Sequence, residues 1–431
     1  MLKFGNTSLA HPRGGWPLCC WPLVALVGLL ASPPVTAEEL AGHRHAPLSA
    51  DPAISLSATV DAAVAAYPDL PILDARTRQA DAWVQRGQSF ISGRPSLVLR
   101  YQSDRLGSDA NLEEYEAGLE LPLWSPGGRR ATEALGAALL DESSTAARAL
   151  RWEVAGLVRM TLWNVASAEA DHELAEQALA TAATLVRKVE RRYELGDVAL
   201  GDVLLARTSY LEYEGEVTRT SAAVLDAERM FRTVSGLERR PEFHPEARSE
   251  AEDIEIDHPA LALANAAIQS AEANVTVTAK TLNSGASVFV GTRHEQPAGG
   301  RDFDDSIGVI VSVPFGGSSH RNTDISAAAR RAAATVSRRD RQLRELTLAM
   351  HEAAHSLNVV HQNLATARER LQIAEQQQTM GELAYEKGEL GILDLLRIQS
   401  VTIAARRQVT GLAIDQRRQT ALYNQAVGDI P

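Results

Sequence analysis

Apolar side chains recur along the chain with two distinct periods. From Val336 onward, Leu343, Met350, Leu357, Leu364 and Leu371 follow at every seventh position. Leu346, Ala353, Val360, Ala367 and Ala374 stand three places after members of that series. This a/d seam predicts a long helix that packs lengthwise on another helix, and the alanines at d allow close approach. Four short segments alternate instead with period two: Ser96–Tyr101, Glu116–Leu123, Ser287–Arg293 and Ile307–Phe315. In the second, Ala117, Leu119 and Leu121 alternate with Glu116, Gly118 and Glu120; in the fourth, Ile307, Val309, Val311 and Val313 share one face. These are expected strands, joined as hairpins by the polar connections DRLGSDANLEE and EQPAGGRDFDD. Further helical runs cover Leu56–Gln88 and Ala260–Thr281.

The pattern occurs twice. YELGDVALGDVLLAR at Tyr193 resembles YEKGELGILDLLRIQ at Tyr385, so that Gly196 faces Gly388 and Asp202 faces Asp394, an offset of 385 less 193, or 192. LELPLW with Pro122 and VSVPFG with Pro314 keep the same offset, and PSLVL at Pro95 faces ASVFV at Ala286 with 191. Shifted back by 192, the seam persists as Val158, Val165, Leu179 and Val186 at a, and Val154, Ala168, Ala175, Ala182 and Val189 at d. Thr161 and His172 interrupt it. Each unit therefore reads as a short helix, a strand pair, a very long helix and a returning helix. The long helix from Pro126 to Tyr193 would span about 100 Å at about 1.5 Å per residue. Gly196 and Gly388 end the long runs, where glycine suits a left-handed helix cap, and Asp202 and Asp394 fall near the start of the returning helices.

The stretch HEAAHSLNVVH, His351 to His361, has zinc-peptidase spacing, with Glu352 between His351 and His355. The seam runs through it unbroken, however. His351 and His355 lie about 40° apart and suit a shared metal, whereas His361 is rotated about 280° from His351. A solvated outer face of a continuous helix is the expected arrangement; His351 and His355 are the metal candidates of this stretch, and no cofactor is expected.

Composition narrows the setting. A net charge of −12 does not favour a nucleic-acid partner. Residues 1–37 read as an export signal, with Lys3 and Arg13 before the apolar stretch Trp16 to Leu30 and small residues at Val35-Thr36-Ala37. Residues 38–54 are expected to be a flexible stretch, followed by repeats over 55–245 and 246–431. Both cysteines, Cys19 and Cys20, lie in the export segment, so the exported chain would hold no thiol. No later stretch has the length of a membrane helix, so any spanning must use strands. Four strands cannot close a barrel, and an open edge is not tolerated in lipid; several subunits must pool them.

The duplicated strand-pair-plus-long-helix unit, the two YExGxxxxxD motifs and the LPLW/VPFG junctions together resemble the TolC-type outer-membrane efflux family, over almost the whole expected mature chain. The resemblance implies a mainly α fold with a small β part. It implies long α-helical hairpins forming an α-barrel, and four strands per chain contributing to a trimeric twelve-stranded barrel. It further implies a homotrimer in outer-membrane lipid with a large periplasmic part, acting as a passive duct with no catalysis. Such a duct is coupled to a periplasmic adaptor and an inner-membrane pump. Carried onto this sequence, Tyr193, Gly196, Asp202, Tyr385, Gly388 and Asp394 would form the periplasmic tip. Arg397 stands where some members carry a second acid, and Leu390 where some carry an arginine, so the ionic lock of those relatives is not reproduced. Pro122 and Pro314 would mark the strand-to-helix junctions. PGGRR after LPLW resembles the heavy-metal branch, and His43 and His45 are metal candidates in that case. Two further readings are a secreted zinc metalloprotease using His351, Glu352, His355 and His361, and an exported coiled-coil scaffold without a barrel.

Overall fold

The computed structural model describes residues 48–243, 245–281, 285–316 and 318–431. The expected export signal, Cys19, Cys20, His43 and His45 lie outside the described residues. Of the stretch 38–54 read as flexible, residues 48–54 are instead held in place. Leu48 is buried, and β1 (Ser49–Ala50) pairs parallel to β4 (Arg239–Arg240). Asp51 caps the turn that follows and pairs with Arg239 at 3.1 Å.

The first unit comprises α1 (Leu56–Ala65), α2 (Leu70–Gln88), β2 (Ser96–Ser103), β3 (Glu113–Pro122), α3 (Gly128–Glu194) and α4 (Leu200–Ser235). After β4, the second repeats it as α5 (Pro259–Thr281), β5 (Ser287–Gln296), β6 (Asp304–Ser312), α6 (Ser318–Glu386) and α7 (Ile392–Ala426). The helical run expected over Leu56–Gln88 is two helices. Pro68 lacks the N–H that a continuous helix needs, and the chain turns there before α2 starts with Pro71 in its first turn. All four strands of the sheet reach two to three residues farther into the hairpins than alternation alone indicated, because pairing extends into the polar rims, whereas β3 ends at Pro122 and β6 at Ser312, short of the expected Leu123 and Phe315.

The four strands form one antiparallel sheet in the order β2-β3-β5-β6. Its register sorts side chains into two faces. Leu97, Leu119, Val290 and Val309 form one row across the sheet, and Leu99, Ala117, Thr292 and Ile307 the next. This face is bare, with Leu99 71% and Ile307 81% exposed. Tyr101, Tyr115, His294 and Phe303 cluster at its hairpin end, with the His294 and Phe303 rings stacked at 4.3 Å. The opposite face carries Arg100, Glu114, Glu116, Arg293 and Glu295, with Arg293 bonded to Glu114 at 3.0 Å and to Glu295 at 2.9 Å. Below that ladder Gly118 and Gly291 are paired, and the Phe289 ring lies over both; a Cβ on either would stand 2.5 Å from it. Among the described residues, β2 and β6 have no strand on their outer sides. No described helix is long and apolar enough to cross a membrane.

The helices form two successive layers. Next to the sheet, α2 packs on α3, α3 on α5 and α5 on α6. Gly136 lets α2 approach, since a Cβ there would meet the Val84 backbone nitrogen at 2.8 Å. Farther along, α4 packs on α3, α3 on α7 and α7 on α6. The expected seam is buried at Val154, Val158, Val165, Ala175, Ala182 and Val189 in α3 and at Met350, Ala353, Val360, Leu364, Ala367 and Ala374 in α6, and half-buried at Ala168, Leu179, Val186, Val336, Leu343, Leu357 and Leu371. The two interruptions are satisfied by hydrogen bonds. Thr161 donates to the Val158 carbonyl, and His172 Nδ1 lies 3.1 Å from the Thr220 hydroxyl.

Between the layers the segments 237–243 and 245–258 and the residues after α7 lie against the long helices. Arg159, 2% exposed, forks onto Glu246 and also donates to Gln425 Oε1 and the Asp429 carbonyl, so a buried charge is paired and hydrogen-bonded. His258, also buried, precedes α5; its Nδ1 accepts the Ala260 N–H at 3.2 Å, which fixes the neutral tautomer with the proton on Nε2. Burial holds its pKa below the ordinary value near 6.5. The unfolded chain therefore takes up this proton first, and the stabilisation is lost progressively as pH falls below about 6.5. Thermal melts of His258→Gln should lack the acid slope of the parent between about pH 7 and pH 5; parallel curves would contradict this account.

Candidate functional site

The far ends of the two hairpins lie together, and their closure is built identically. At the end of α3 the Gly196 N–H bonds the Tyr193 carbonyl at 2.9 Å, and the Asp197 N–H bonds the Arg192 carbonyl at 2.9 Å. At the end of α6, Gly388 and Glu389 make the same pair of bonds to Tyr385 and Ala384. This double bond pattern closes a helix only if its pivot is left-handed, and Gly196 (φ 80°) and Gly388 (φ 76°) supply it. Asp202 and Asp394 sit in the first turns of α4 and α7, where a carboxylate faces the positive helix end.

The two copies differ in what surrounds the tyrosines. Tyr385 is 4% exposed and packs with Leu185, Val189, Val203, Ala206, Ile392 and Leu395, an apolar cluster that joins the first hairpin to the second. The Arg192 guanidinium lies 5.0 Å from its ring centre, and Arg192 Nη1 donates to its carbonyl at 2.9 Å. The hydroxyl is buried with no hydrogen-bond partner. Burial pushes its pKa up; the Arg192 charge opposes this, and Asp202 adds to it. Beside it, Lys188 donates to Glu386 at 2.8 Å and holds that carboxyl below its ordinary value. Tyr193, by contrast, is 45% exposed. Asp394 and Arg397 are exposed and form no ion pair with each other. Leu390 flanks the apolar cluster.

Of the residues expected at the tip, the structure thus gathers Tyr385, Gly388 and Asp202 at one joint and leaves Tyr193, Asp394 and Arg397 on the surface. Arg192, Lys188 and Glu386 were not singled out from sequence. The signal was available: at the offset of 192, Arg192 matches Ala384 and Lys188 matches Met380, so both cations occur in one copy only. A cleft of about 370 Å³ between α3, α6 and α7 is lined by Thr184, Lys188, Gln378, Glu382, Tyr385 and Gln399.

At the other end, Pro122 and Pro314 occupy equivalent corners. Each proline ring rests on a glycine, Gly93 at 3.3 Å and Gly285 at 3.0 Å from where a Cβ would be. Trp124 donates to the Ser89 carbonyl and Ser125 to the Lys280 carbonyl, tying the start of α3 to both short helices. The peptidase-like stretch lies inside α6, which continues without a break from Ser318 to Glu386. His351, Glu352, His355 and His361 are all exposed, and no metal-binding cluster of three occurs among the described residues. The chain does not turn at Asn358, so the third histidine is not swung back towards the first two.

Residues 57–237 match the family model described as outer membrane efflux protein. No curated protein matches the chain. Solved structures resemble nearly all of it. The outer membrane protein VceC of Vibrio cholerae aligns with a TM-score of 0.69 at 17% identity, covering 86% of this chain and 96% of that one. The CmeC outer membrane channel of Campylobacter jejuni aligns with 0.69 at 14%, covering 87% and 85%. The open state of the MtrE outer membrane channel of Neisseria gonorrhoeae gives 0.66 at 14%, covering 86% and 88%. The fold is that of these TolC-like channels, mostly helical with few strands, and the family resemblance read from the sequence holds.

Because Tyr385 is hidden by the joint that Arg192 covers, Arg192→Ala should raise the rate of chymotryptic cleavage after Tyr385 several-fold. Lys188→Ala should raise it less, since that pair is exposed and screened. Equal cleavage of parent and Arg192→Ala would refute the joint.

Proposed function

We propose that this chain, whose residues 57–237 match the outer membrane efflux protein family model, is one protomer of a trimeric outer-membrane duct. It would be a passive conduit with a large periplasmic part. A periplasmic adaptor docks on the hairpin tips, and an inner-membrane pump supplies the energy. Residues 1–37 would be the export leader.

The observation that carries the reading is the set of open edges. The sheet ends in β2 and β6, the sheet-proximal helix layer ends in α2 and α6, and the distal layer ends in α4 and α6. Under the internal duplication each pair of edges corresponds to a joint made inside the chain, β3 with β5, α3 with α5 and α3 with α7, so another copy can continue every layer as the second unit continues the first. A four-stranded sheet with a bare apolar face and unpaired edges is not viable in lipid, whereas three copies give twelve strands with no edge. The apolar rows of Leu97, Leu99, Ile307 and Val309 would then meet lipid, with Tyr101 and Tyr115 near the headgroups. The Arg100/Glu114/Glu116/Arg293 ladder would line a wet lumen.

In such a ring three Asp394 carboxylates, unneutralised within the chain, raise the negative potential at the tip and favour cations. The cargo, small molecules or metal ions, would be set by the pump. The purified protein should run as a heat-resistant trimer and conduct in planar bilayers. Asp394→Ala should lower the cation preference without abolishing conductance; a stable monomer with no conductance would overturn the reading.

A further inference from the structure

The duplication allows the contact between copies to be read from a contact inside one copy. Short helices and the first strand of each hairpin, β2 and β5, are offset by 191, as Tyr67-Pro68-Asp69-Leu70 against His258-Pro259-Ala260-Leu261 shows; long helices and the second strands, β3 and β6, are offset by 192. The rule transforms one observed joint into another. Ser96 opposite Glu120 becomes Ser287 opposite Ser312, which is the observed register. Gly136, buried against Val84, becomes Ala328, which is also buried.

The joint of α3 with the start of α5 centres on Trp152. Its ring meets His258 edge-on at 5.0 Å, its Nε1 donates to the Gln425 carbonyl in the last turn of α7 at 2.8 Å, and it packs beside Ala260 and Leu261. Moved one unit along, this joint falls between α6 of one copy and α2 of the next. Trp152 is replaced by Arg344, His258 by Tyr67, Ala260 by Asp69, and Gln425 by Thr233 in the last turn of α4. Arg344 is exposed and without a partner among the described residues. The receiving site is acidic: Asp69 and Glu153 are exposed and unpaired, and both carboxylates add to the upward pKa shift that burial gives the Tyr67 hydroxyl.

We propose that a second copy of this chain docks by seating Arg344 on the Tyr67 ring, between Asp69 and Glu153, at the carbonyl end of α4. The chemistry is complementary throughout. A planar guanidinium replaces a planar indole, it stacks on an aromatic face, and its charge meets two carboxylates and the negative end of a helix. The inference rests on the trimeric reading and assigns the residues that build its seam.

The experiment uses the full chain with Cys19→Ser and Cys20→Ser, which leaves no other thiol. Asp69→Cys combined with Arg344→Cys is treated with a short bis-maleimide and run on a denaturing gel. Covalent dimers and trimers with the double variant, and none with either single one, are expected. A native-size trimer that does not cross-link overturns the socket and leaves the duct reading intact. A monomeric parent overturns the duct reading itself. Independently, Arg344→Asp should lower the fraction of trimer surviving mild heating about tenfold, and adding Asp69→Arg should restore most of it. No recovery, with both variants folded by circular dichroism, also overturns the socket.

Discussion

Unpaired backbone is the constraint from which the rest of this architecture follows. The outer strands β2 and β6 carry rows of N–H and C=O groups with no strand partner among the described residues, on a sheet whose bare face is largely leucine, isoleucine and valine. Water can satisfy such edges; hydrocarbon cannot. The chain is built so that its own second half shows how the edge is closed. β3 pairs with β5 across the repeat boundary, along their full length, from Glu113 opposite Gln296 to Pro122 opposite Ser287. The same economy runs through the helices, where α3 is gripped by partners from both units while α6 has partners on one side only.

Much of this was legible in the sequence, for a physical reason. Heptads, alternation and left-handed glycines are local rules repeated over long stretches, so α3, α6 and the two tips declare themselves. The sheet faces followed from period two. The break at Pro68 was less visible, because helical runs stand on both sides of it and only residues 66–69 separate α1 from α2. The strand ends depended on pairing, which no single segment reveals. The least legible part was the tip joint. Arg192 and Lys188 sit among other basic residues near the end of α3, and nothing local distinguishes a cation that covers Tyr385 from one that faces water. Only comparison between the copies, which place Ala384 and Met380 there, separates them.

The peptidase-like stretch illustrates the opposite case, in which a motif is present and its geometry absent. His351 and His355 have the right separation on a helix, yet the same helix continues for more than twenty residues beyond His361 to Glu386. A seam of Met350, Ala353, Val360 and Leu364 packed on a neighbouring helix keeps that segment straight. Packing of the buried face thus decides what the polar face can do.

The unequal tip has a mechanical consequence. Within one chain the two hairpins are bound by a ring under a guanidinium, an apolar cluster and a lysine–carboxylate bridge. At the matching positions of the other kind of joint, alanine and methionine offer no such clamp. Around a closed annulus stiff and compliant joints would therefore alternate, and four coils of each polypeptide would swing as a single vane. In the proposed trimer any dilation of the mouth would be confined to three slits, its aperture set by how far whole vanes tilt.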